Sequence, residues 1–356
     1  MKEDLNRFRL PAEWEPQWGI LLTWPHEFTD WKPYLGDILK TMNQMAREII
    51  KYENVMIVAQ DPSLINKDLK ENERVLITSF PTDDTWARDH GPITLLDKDG
   101  GKPRWLDFMF NGWGDKFFAK YDNMVPLKLW SSFVPFIEQV DIEDHQDFVL
   151  EGGSIECDGQ GTLFTTSQCL LAPHRNQPLT REEIAEQLIR RLHIERVVWL
   201  DHGKLIGDDT DGHIDTIVRI APDDTLLYVG CDNPQDEQYE DFLALEQQLQ
   251  TLRTKDGKPY RLLKLPMPEA IYEESGTGQD RLPATYANFL ILNGAVLVPV
   301  YGQPTNDERA LSIIQQAFPG RTMIPIDSRT IIRQHGSVHC LTMQIPQIIP
   351  DNKTTK

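Results

Sequence analysis

The chain has 356 residues, with 36 lysines and arginines against 55 aspartates and glutamates, which gives a formal net charge of -19. Hydrophobic residues make up 40% and charged residues 26%, a mixture typical of globular proteins and not of disordered or collagen-like chains. The negative charge disfavours nucleic acid as a partner, since phosphate is repelled, and is compatible with a small cationic substrate.

The first third of the chain combines a helical segment with short apolar strands. Residues 37–51 carry apolar side chains at helical spacing, which predicts a helix. The runs at 55–59 and 74–78 are brief, β-branched and flanked by polar residues, so they predict buried strands.

The rest of the chain continues this alternation. Thr180 and Glu183 have the spacing of a capping box, which predicts a helix beginning there. Asn293-Gly294, the commonest two-residue hairpin turn, divides the apolar run 289–301 into two antiparallel strands. The other predicted elements are strands at 195–200 and 225–230 and helices at 180–192, 235–251 and 306–318. No Gly/Ser linker marks a boundary, so we expect residues 1–356 to form a single domain.

Polar, glycine-bearing motifs recur along the chain. They contain Asp89, Glu151, His213, Asn288 and Cys340, and the interval from the first to the second equals that from the second to the third. The motifs are too different to count as a sequence repeat. Recurring loop-and-strand units nevertheless favour a radially repeated architecture, in which each of five units contributes one loop to a shared centre.

The segment GDDTDGHIDT places a histidine two residues before a carboxylate. On a strand, His213 and Asp215 would project from the same face. Such a pair is a candidate general acid/base unit. A solvated acidic turn leading into a strand is the alternative, and this segment alone does not decide between them.

Two further motifs carry carboxylates beside turn residues. Glu151 precedes Gly152-Gly153, where it would orient a histidine or bind a cation; an exposed hairpin rim is the commoner interpretation of such a motif. Trp86 and Asp89 are three residues apart, so a tight turn would bring together an aromatic face and a carboxylate. That pair suits a guanidinium group.

Cys340 lies in a segment, 338–342, that we interpret as the start of a strand. Consecutive strand side chains face opposite ways, so His339 is not placed to act as its base, and His213 is the best candidate partner. The other cysteines fit the usual pattern of buried, inert thiols: Cys157, Cys169 and Cys231.

The sequence gives no sign of a cofactor, a metal or a membrane. It contains no CxxC or HExxH pair, no GxGxxG and no P-loop lysine. Its N-terminus, MKEDLNRFRL, lacks the apolar segment of a signal peptide, and no stretch approaches the roughly 18 apolar residues of a membrane span. We therefore expect a soluble, cytoplasmic protein without a metal or an organic cofactor.

Several motifs taken together resemble the agmatine deiminase family, which also includes bacterial peptidyl-arginine deiminase-like proteins. They are LPAEWEPQWGILLTWPH, WARDHGP, LEGGSIE, GDDTDGHIDT, YANFLILNGAVLVP and the C-terminal HC. The resemblance runs from about Leu10 to Pro346. It implies a single catalytic domain with an α/β fold, a five-bladed propeller of ββαβ units with pseudo-fivefold symmetry. It implies no cofactor, and the family often forms dimers or larger assemblies.

The same resemblance implies a role for each site residue. Cys340 would be the nucleophile, His213 the acid/base, and Glu151 the group that keeps His213 charged. Asp89 and Asp215 would bind the guanidinium, and Trp86 would lie in the substrate pocket. The implied reaction converts agmatine and water to N-carbamoylputrescine and ammonia through a thiouronium on Cys340.

Two departures from related sequences concern the substrate. The segment Arg333–Ser337 stands where relatives usually have glycines, and its bulkier side chains are expected to narrow or redirect the pocket entrance. Asp211 stands where many relatives have asparagine, and its charge would favour a substrate with a second cation. A peptidyl-arginine substrate and a non-catalytic guanidine-binding module are the alternatives, whereas nothing in the chain supports a papain-like peptidase.

Overall fold

Strands and helices alternate along the chain in the computed structural model, which describes residues 7–132, 139–275 and 278–347. The strands are β1 (Phe8–Arg9), β2 (Gln17–Trp24), β3 (Asn54–Ala59), β4 (Val75–Ser79), β5 (Ile93–Asp97), β6 (Arg104–Met109), β7 (Asp141–Val149), β8 (Ile155–Cys157), β9 (Thr162–Thr166), β10 (Arg196–Leu200), β11 (Val218–Ala221), β12 (Thr225–Gly230), β13 (Arg261–Pro266), β14 (Tyr272–Ser275), β15 (Gly278–Arg281), β16 (Leu290–Ile291), β17 (Ala295–Val300), β18 (Thr322–Asp327) and β19 (Thr342–Pro346).

The longer helices are α1 (Leu35–Ile49), α2 (Val125–Ser132), α3 (Arg181–Leu192), α4 (Tyr239–Thr251) and α5 (Pro304–Ala317). Single helical turns cover Lys67–Lys70, Ala87–His90, Gly112–Asp115 and Ser167–Leu170, and shorter 3₁₀ turns cover Lys32–Tyr34, Pro62–Leu64, Asp122–Met124, Gly152–Ser154, Ile214–Thr216 and Ile331–Gln334. Within the described ranges, no helix is both long enough and apolar enough to cross a membrane.

One pattern recurs in five of the sheets that the described strands form. Their strand orders are β1-β5-β6-β7, β10-β9-β8, β11-β12-β13, β16-β17-β18 and β19-β2-β3-β4. Each contains an antiparallel pair and a parallel pair, and one of α1 to α5 lies in the connection between two parallel strands. Parallel neighbours need a crossover of this length. The fold is therefore a mixed α/β fold.

Local sequence signals account for most of these elements. Thr180 and Glu183 form the predicted capping box at the start of α3. The hairpin at Asn293-Gly294 is confirmed, since β16 and β17 pair antiparallel on either side of it. Helix α1 buries the apolar face that its spacing predicts. Residues 55–59 of β3 are fully buried, and Val55, Ile57 and Ala59 belong to the same core cluster as this face.

One helix is shorter at its start than the sequence predicts. Residues 235–251 were expected to be helical, but α4 begins at Tyr239. The Asn233 side chain accepts a hydrogen bond from the backbone N–H of Gln235 at 3.1 Å, and the Asp236 side chain accepts one from Gln238 at 3.0 Å. These side-chain-to-backbone bonds stabilise turns in place of the first helical turn.

The fold brings the polar motifs into contact through equivalent turns. Short segments containing Asp89, Gly153, Asp215, Asn288 and Cys340 lead into β5, β8, β11, β16 and β19, one strand in each repeated sheet. Antiparallel pairing of β19 with β2 returns the C-terminal end of the chain to the N-terminal sheet. The expected shared centre therefore contains residues that are far apart in sequence.

Candidate active site

Cys340 is buried in a turn two residues before β19, where groups from two other turns surround its thiol. The Asn288 side chain donates a hydrogen bond to Sγ at 3.2 Å and accepts one from the Cys340 backbone N–H at 3.2 Å. Asp215 Oδ2 lies 3.7 Å from Sγ. The predicted strand over 338–342 is wrong, because turn hydrogen bonds such as Thr342 N–H to the His339 carbonyl, at 3.0 Å, delay β19 until Thr342.

His213 and Asp215 lie together in a turn that leads into a strand, the second of the two alternatives that the sequence left open. Residues 214–216 form a 3₁₀ turn, in which the Thr216 hydroxyl donates to the His213 carbonyl at 2.8 Å, and β11 begins only at Val218. Both side chains are fully buried. His213 Nδ1 lies 3.6 Å from Asp89 Oδ1, and neither ring nitrogen has a hydrogen-bond partner within the described part of the chain.

Two fixed donors orient the Asp89 carboxylate. The backbone N–H of Gly153 donates to Oδ1 and the indole N–H of Trp113 donates to Oδ2, each at 2.9 Å. A Cβ atom added at Gly153 would lie 2.6 Å from His213 Nδ1 and 2.8 Å from Asp89 Oδ1. Gly153 therefore provides the space in which the histidine and the carboxylate approach each other.

Replacing Gly153 with alanine is expected to lower kcat/KM about a hundredfold, because displacements of about 1 Å at reacting groups cost this much. The backbone of Gly153 lies outside the left-handed region, so alanine is compatible with it and the variant should fold. Steady-state kinetics and thermal unfolding test this. Gly36→Ala is the matched control, since no atom lies within 4 Å of its added Cβ; equal activity of the two variants would contradict the role given to Gly153.

Glu151 contacts an arginine instead of pairing with His213. It is fully buried, and Arg175 Nε donates to its Oε1 at 2.8 Å. The Arg175 guanidinium also contacts Asp211 at 2.8 Å, and Lys116 Nζ lies 2.8 Å from the same carboxylate. Asp211 is thus paired with two cations and does not line the cavity that reaches Cys340, and its effect on the choice of substrate stays a prediction.

Burial dominates the ionisation of the central groups. It raises the pKa of Cys340 well above its ordinary value, and the neighbouring charges of Asp215 and Asp89 add to this effect. It also raises the pKa of Asp89, together with the charge of Asp215. Burial lowers the pKa of His213 to about 3, so the neutral imidazole predominates at neutral pH. The expectation that Glu151 keeps His213 charged stays a prediction, and burial acts against it.

Asp215 is the exception among these carboxylates. Burial by itself would raise its pKa, but the hydrogen bond from His339 Nδ1, at 2.7 Å, and the charges of His339 and His213 outweigh it, so the pKa lies below its ordinary value. His339 Nε2 in turn contacts Glu13 at 2.8 Å and Arg219 at 3.0 Å. His339 thus supports the ionised form of Asp215 and is not the base for Cys340.

The raised pKa of Cys340 leads to a pH-dependent labelling rate. A higher pKa leaves a smaller thiolate fraction at each pH, and the thiolate is the form that iodoacetamide alkylates. Labelling of Cys340, followed by peptide mass spectrometry, should be slow near pH 7 and should still increase above pH 9. The Cys340→Ala protein gives the background from other cysteines, and a labelling midpoint below about pH 8 would contradict this prediction.

A cavity of about 150 Å³, the reaction cavity, leads to the thiol. Its lining combines three aromatic rings and four acids with Cys340: Trp86, Trp113, Phe117, Asp30, Asp84, Asp89 and Asp209. No lysine or arginine belongs to the lining that the described residues provide. Trp86 thus lines the same cavity as Cys340, and the surroundings are suited to a cation with an apolar chain.

The segment Arg333–Ser337 contributes to this cavity in part. Gln334, His335 and Gly336 line it, and the His335 ring is held by the Gly207 carbonyl at 2.7 Å. Arg333 points elsewhere: Nε donates to Glu273 at 2.9 Å, and the guanidinium lies 3.5 Å from the centroid of the Tyr34 ring. The expected narrowing of the entrance is thus restricted to Gln334 and His335.

Among the residues that the structure describes, two buried groups each place three potential metal-binding atoms within 4.8 Å of one another. They are Glu151 with Cys169 and His213, and Glu13 with Glu156 and His339. In each group an arginine already pairs with the carboxylates, Arg175 in the first and Arg219 in the second. These donor sets are therefore arranged around an internal cation.

The sequence did not single out several residues that contact the central groups. Asn288 occurs in one of the spaced motifs, but nothing in the sequence showed that its amide binds Cys340. Trp113 lies in the segment NGWGDK, where Gly112, Trp113 and Gly114 all have positive φ angles. A tryptophan between two glycines was the one available signal, because that conformation strongly favours glycine and indicates a specialised turn.

Comparison with known proteins agrees with this geometry. Residues 9–346 match the family of Porphyromonas-type peptidyl-arginine deiminases. A crystal structure from Porphyromonas gingivalis, described provisionally as an arginine deiminase, is 46% identical, with a TM-score of 0.88 and coverage of 96% of this chain and 99% of that chain.

Two agmatine deiminases are also similar. A cysteine-to-serine variant of the C. jejuni agmatine deiminase with substrate bound is 35% identical, with a TM-score of 0.86 and coverage of 95% of this chain and 96% of that chain. The agmatine deiminase of Stutzerimonas stutzeri is 32% identical over 359 residues, which are 95% of each chain. Since the family match extends over nearly the whole chain, the chain belongs to the Porphyromonas-type peptidyl-arginine deiminase family.

Proposed function

We propose that the protein is an agmatine deiminase, which hydrolyses agmatine to N-carbamoylputrescine and ammonia. The observation that carries this proposal is a buried thiol, Cys340, which lies beside the carboxylates of Asp89 and Asp215 and lines an acid-rich cavity. A guanidinium is a poor electrophile, so it must be held and its charge balanced while sulfur attacks its carbon. Two carboxylates in a water-poor site supply both requirements.

The ionisation states favour one sequence of proton transfers. Cys340 starts as a thiol and His213 as a neutral imidazole. The positive charge of the guanidinium stabilises the thiolate, and the thiol proton passes to His213. Sulfur bonds to the guanidinium carbon, and His213 then protonates the departing nitrogen, which leaves as ammonia.

The second half of the reaction reuses the same groups. The carbon is now a thiouronium on Cys340, and the neutral His213 removes a proton from the attacking water. The carbon–sulfur bond breaks, so that the product carries a ureido group and Cys340 is regenerated. Glu151 acts in this scheme by holding Arg175, and Asp215 stays ionised through His339. No step requires a metal or an organic cofactor.

The lining of the reaction cavity favours agmatine over arginine and its peptides. Agmatine has an ammonium at the end of its chain, which the acids Asp30, Asp84 and Asp209 suit. Arginine would bring a carboxylate toward the same acids, with no lysine or arginine in the described lining to pair with it. The two agmatine deiminases among the similar proteins support the same choice.

We also propose that the five repeated sheets are the blades of an α/β propeller with pseudo-fivefold symmetry, within a single catalytic domain of residues 1–356. Their common strand pattern and the meeting of five equivalent turns support this arrangement.

A colorimetric assay for ureido product tests the substrate directly. Purified protein is incubated with agmatine, free arginine or an arginine-containing peptide, and ammonia release is measured in parallel. We expect product with agmatine at a kcat/KM at least about a hundredfold above the other two, which corresponds to roughly 3 kcal/mol. Faster turnover of the peptide would establish a peptidyl-arginine deiminase, and binding without product would establish a guanidine-binding module.

A further inference from the structure

The reaction cavity adjoins a second, larger cavity of about 470 Å³, the outer cavity. The two cavities share four lining residues, Asp30, Asp84, Trp113 and Phe117. These four residues therefore lie at the boundary between the two cavities. The mechanism proposed above makes no use of this second space.

Exposed aromatic rings form one part of the outer cavity. Phe28 is 74% exposed and Phe118 is 71% exposed, which is unusual for phenylalanine, and Phe117 is 41% exposed beside them. These rings come from two separate segments, one after β2 and one before α2, and all of them line the same cavity. Exposed apolar rings that line one cavity next to polar groups are typical of a ligand site.

Acids form the other part. Asp30, Asp83 and Asp84 line the outer cavity, and its described lining contains no lysine or arginine. Asp122 accepts hydrogen bonds from the backbone N–H groups of Asp83 and Asp84 at 2.8 and 2.9 Å. Asp83 Oδ2 accepts one from Tyr121 N–H at 2.6 Å and Asp84 Oδ1 accepts one from Thr85 N–H at 2.8 Å, which uses only part of the acceptor capacity of these two carboxylates. Burial raises the pKa of Asp84 to about 7, so that a cation bound beside it would favour its ionised form.

The combination of rings and acids restricts the ligand. An anion or a peptide carboxylate would meet several acids and no lysine or arginine of the described lining, and a purely apolar group would leave those acids unpaired. A flexible chain of methylenes and ammonium groups fits both, because methylenes pack on the rings while ammonium groups pair with carboxylates or lie over ring faces. The Tyr121 ring is less available, since the Lys120 ammonium lies 5.9 Å from its centroid.

We propose that the outer cavity is a substrate subsite for guanidines whose chain extends beyond that of agmatine and carries an additional ammonium. This inference rests on the proposed function, because the guanidine end of such a substrate would react at Cys340 in the same way. Its terminal guanidine nitrogen leaves as ammonia, water supplies the ureido oxygen, and the extended polyamine chain is unchanged.

The test compares kcat/KM for agmatine with that for N-(3-aminopropyl)agmatine. The double variant Phe28→Ala/Phe118→Ala removes the two most exposed rings, which lie outside the reaction cavity and contribute little to the core. We expect the variant to lose about tenfold with the extended substrate, as for two cation–π contacts, and to change less than about twofold with agmatine. Tyr272→Ala, which removes an aromatic side chain that is 51% exposed elsewhere, should change neither value.

The outcomes separate this inference from the proposed function. If the unmodified protein turns over agmatine but the double variant changes kcat/KM equally for both substrates, or for neither, the subsite alone is overturned. If the unmodified protein converts neither agmatine nor N-(3-aminopropyl)agmatine, the proposed function is overturned, and the subsite with it. Thermal unfolding of the double variant, expected within a few degrees of the unmodified protein, excludes general destabilisation as the cause of a selective loss.

Discussion

Replacement of Cys340 by alanine is expected to reduce the turnover of agmatine by at least about 10⁴-fold, since removing a nucleophile eliminates the covalent pathway. Binding should remain measurable by calorimetry, because Asp89 and the acids of the reaction cavity are unchanged. The variant also removes the acceptor of the Asn288 hydrogen bond, an effect on stability that thermal unfolding will measure.

Cys231→Ser is the matched control for this substitution. Cys231 is also buried, and burial raises the pKa of its thiol. Unlike Cys340, it does not line the reaction cavity, and its thiol contacts the Asn233 carbonyl at 3.7 Å. Its kcat should stay within about twofold of the unmodified protein. Retention of turnover by Cys340→Ala, or comparable losses in both variants, would eliminate Cys340 as the nucleophile.

The Asp89→Asn variant is expected to lose about a thousandfold in kcat/KM. The substitution removes a charge that would pair with the guanidinium, and losing one partner of a buried charge pair costs 2–5 kcal/mol or more. One oxygen of the asparagine still accepts a hydrogen bond, but its NH₂ group faces a donor, either Gly153 N–H or Trp113 Nε1–H. Steady-state kinetics should show both a higher KM and a lower kcat.

Stability distinguishes this catalytic interpretation from a structural one. Burial and the charge of Asp215 raise the pKa of Asp89 in the folded protein. Above the pKa that Asp89 has in the unfolded chain, its ionised form therefore lowers the stability of the folded protein, and a neutral asparagine removes this cost. Thermal unfolding near pH 7 should therefore change by only a few degrees. Asp107→Asn is the control, since Asp107 lies outside the site and is also buried, and burial raises its pKa to about 6. This variant should keep full activity. Unfolding of Asp89→Asn, with normal activity in its folded fraction, would make Asp89 structural.

Elements that depend on neighbouring residues could be predicted from the sequence. The capping box at Thr180 and the Asn293-Gly294 turn act within a few residues, so their patterns alone determine a helix start and a hairpin. The sequence left a strand and an acidic turn open at 213–215, and the structure has a turn at 214–216, where Asp211 and Gly212 adopt positive φ angles and the Thr210 hydroxyl accepts a hydrogen bond from His213 N–H at 3.1 Å. An alternating pattern of polar and apolar residues does not reveal such a turn.

The membership of the site was more predictable than its electrostatics. The spaced motifs indicated Asp89, His213 and Cys340, which the fold brings into one cluster. The pairing of Glu151 with Arg175 joins two side chains that no spacing rule relates. The neutral state of His213 depends on complete burial, which is a property of the packed structure and not of any local segment.

Intact-protein mass spectrometry after rapid acid quenching tests the central claim most directly. During turnover of agmatine, the mass of the protein should increase by that of agmatine less one ammonia, and peptide mapping should locate the adduct on Cys340. The adduct should be absent from the Cys340→Ala protein. An adduct on another residue, or product formation with no adduct at any quench time, would contradict attack by the Cys340 thiolate on the guanidinium carbon.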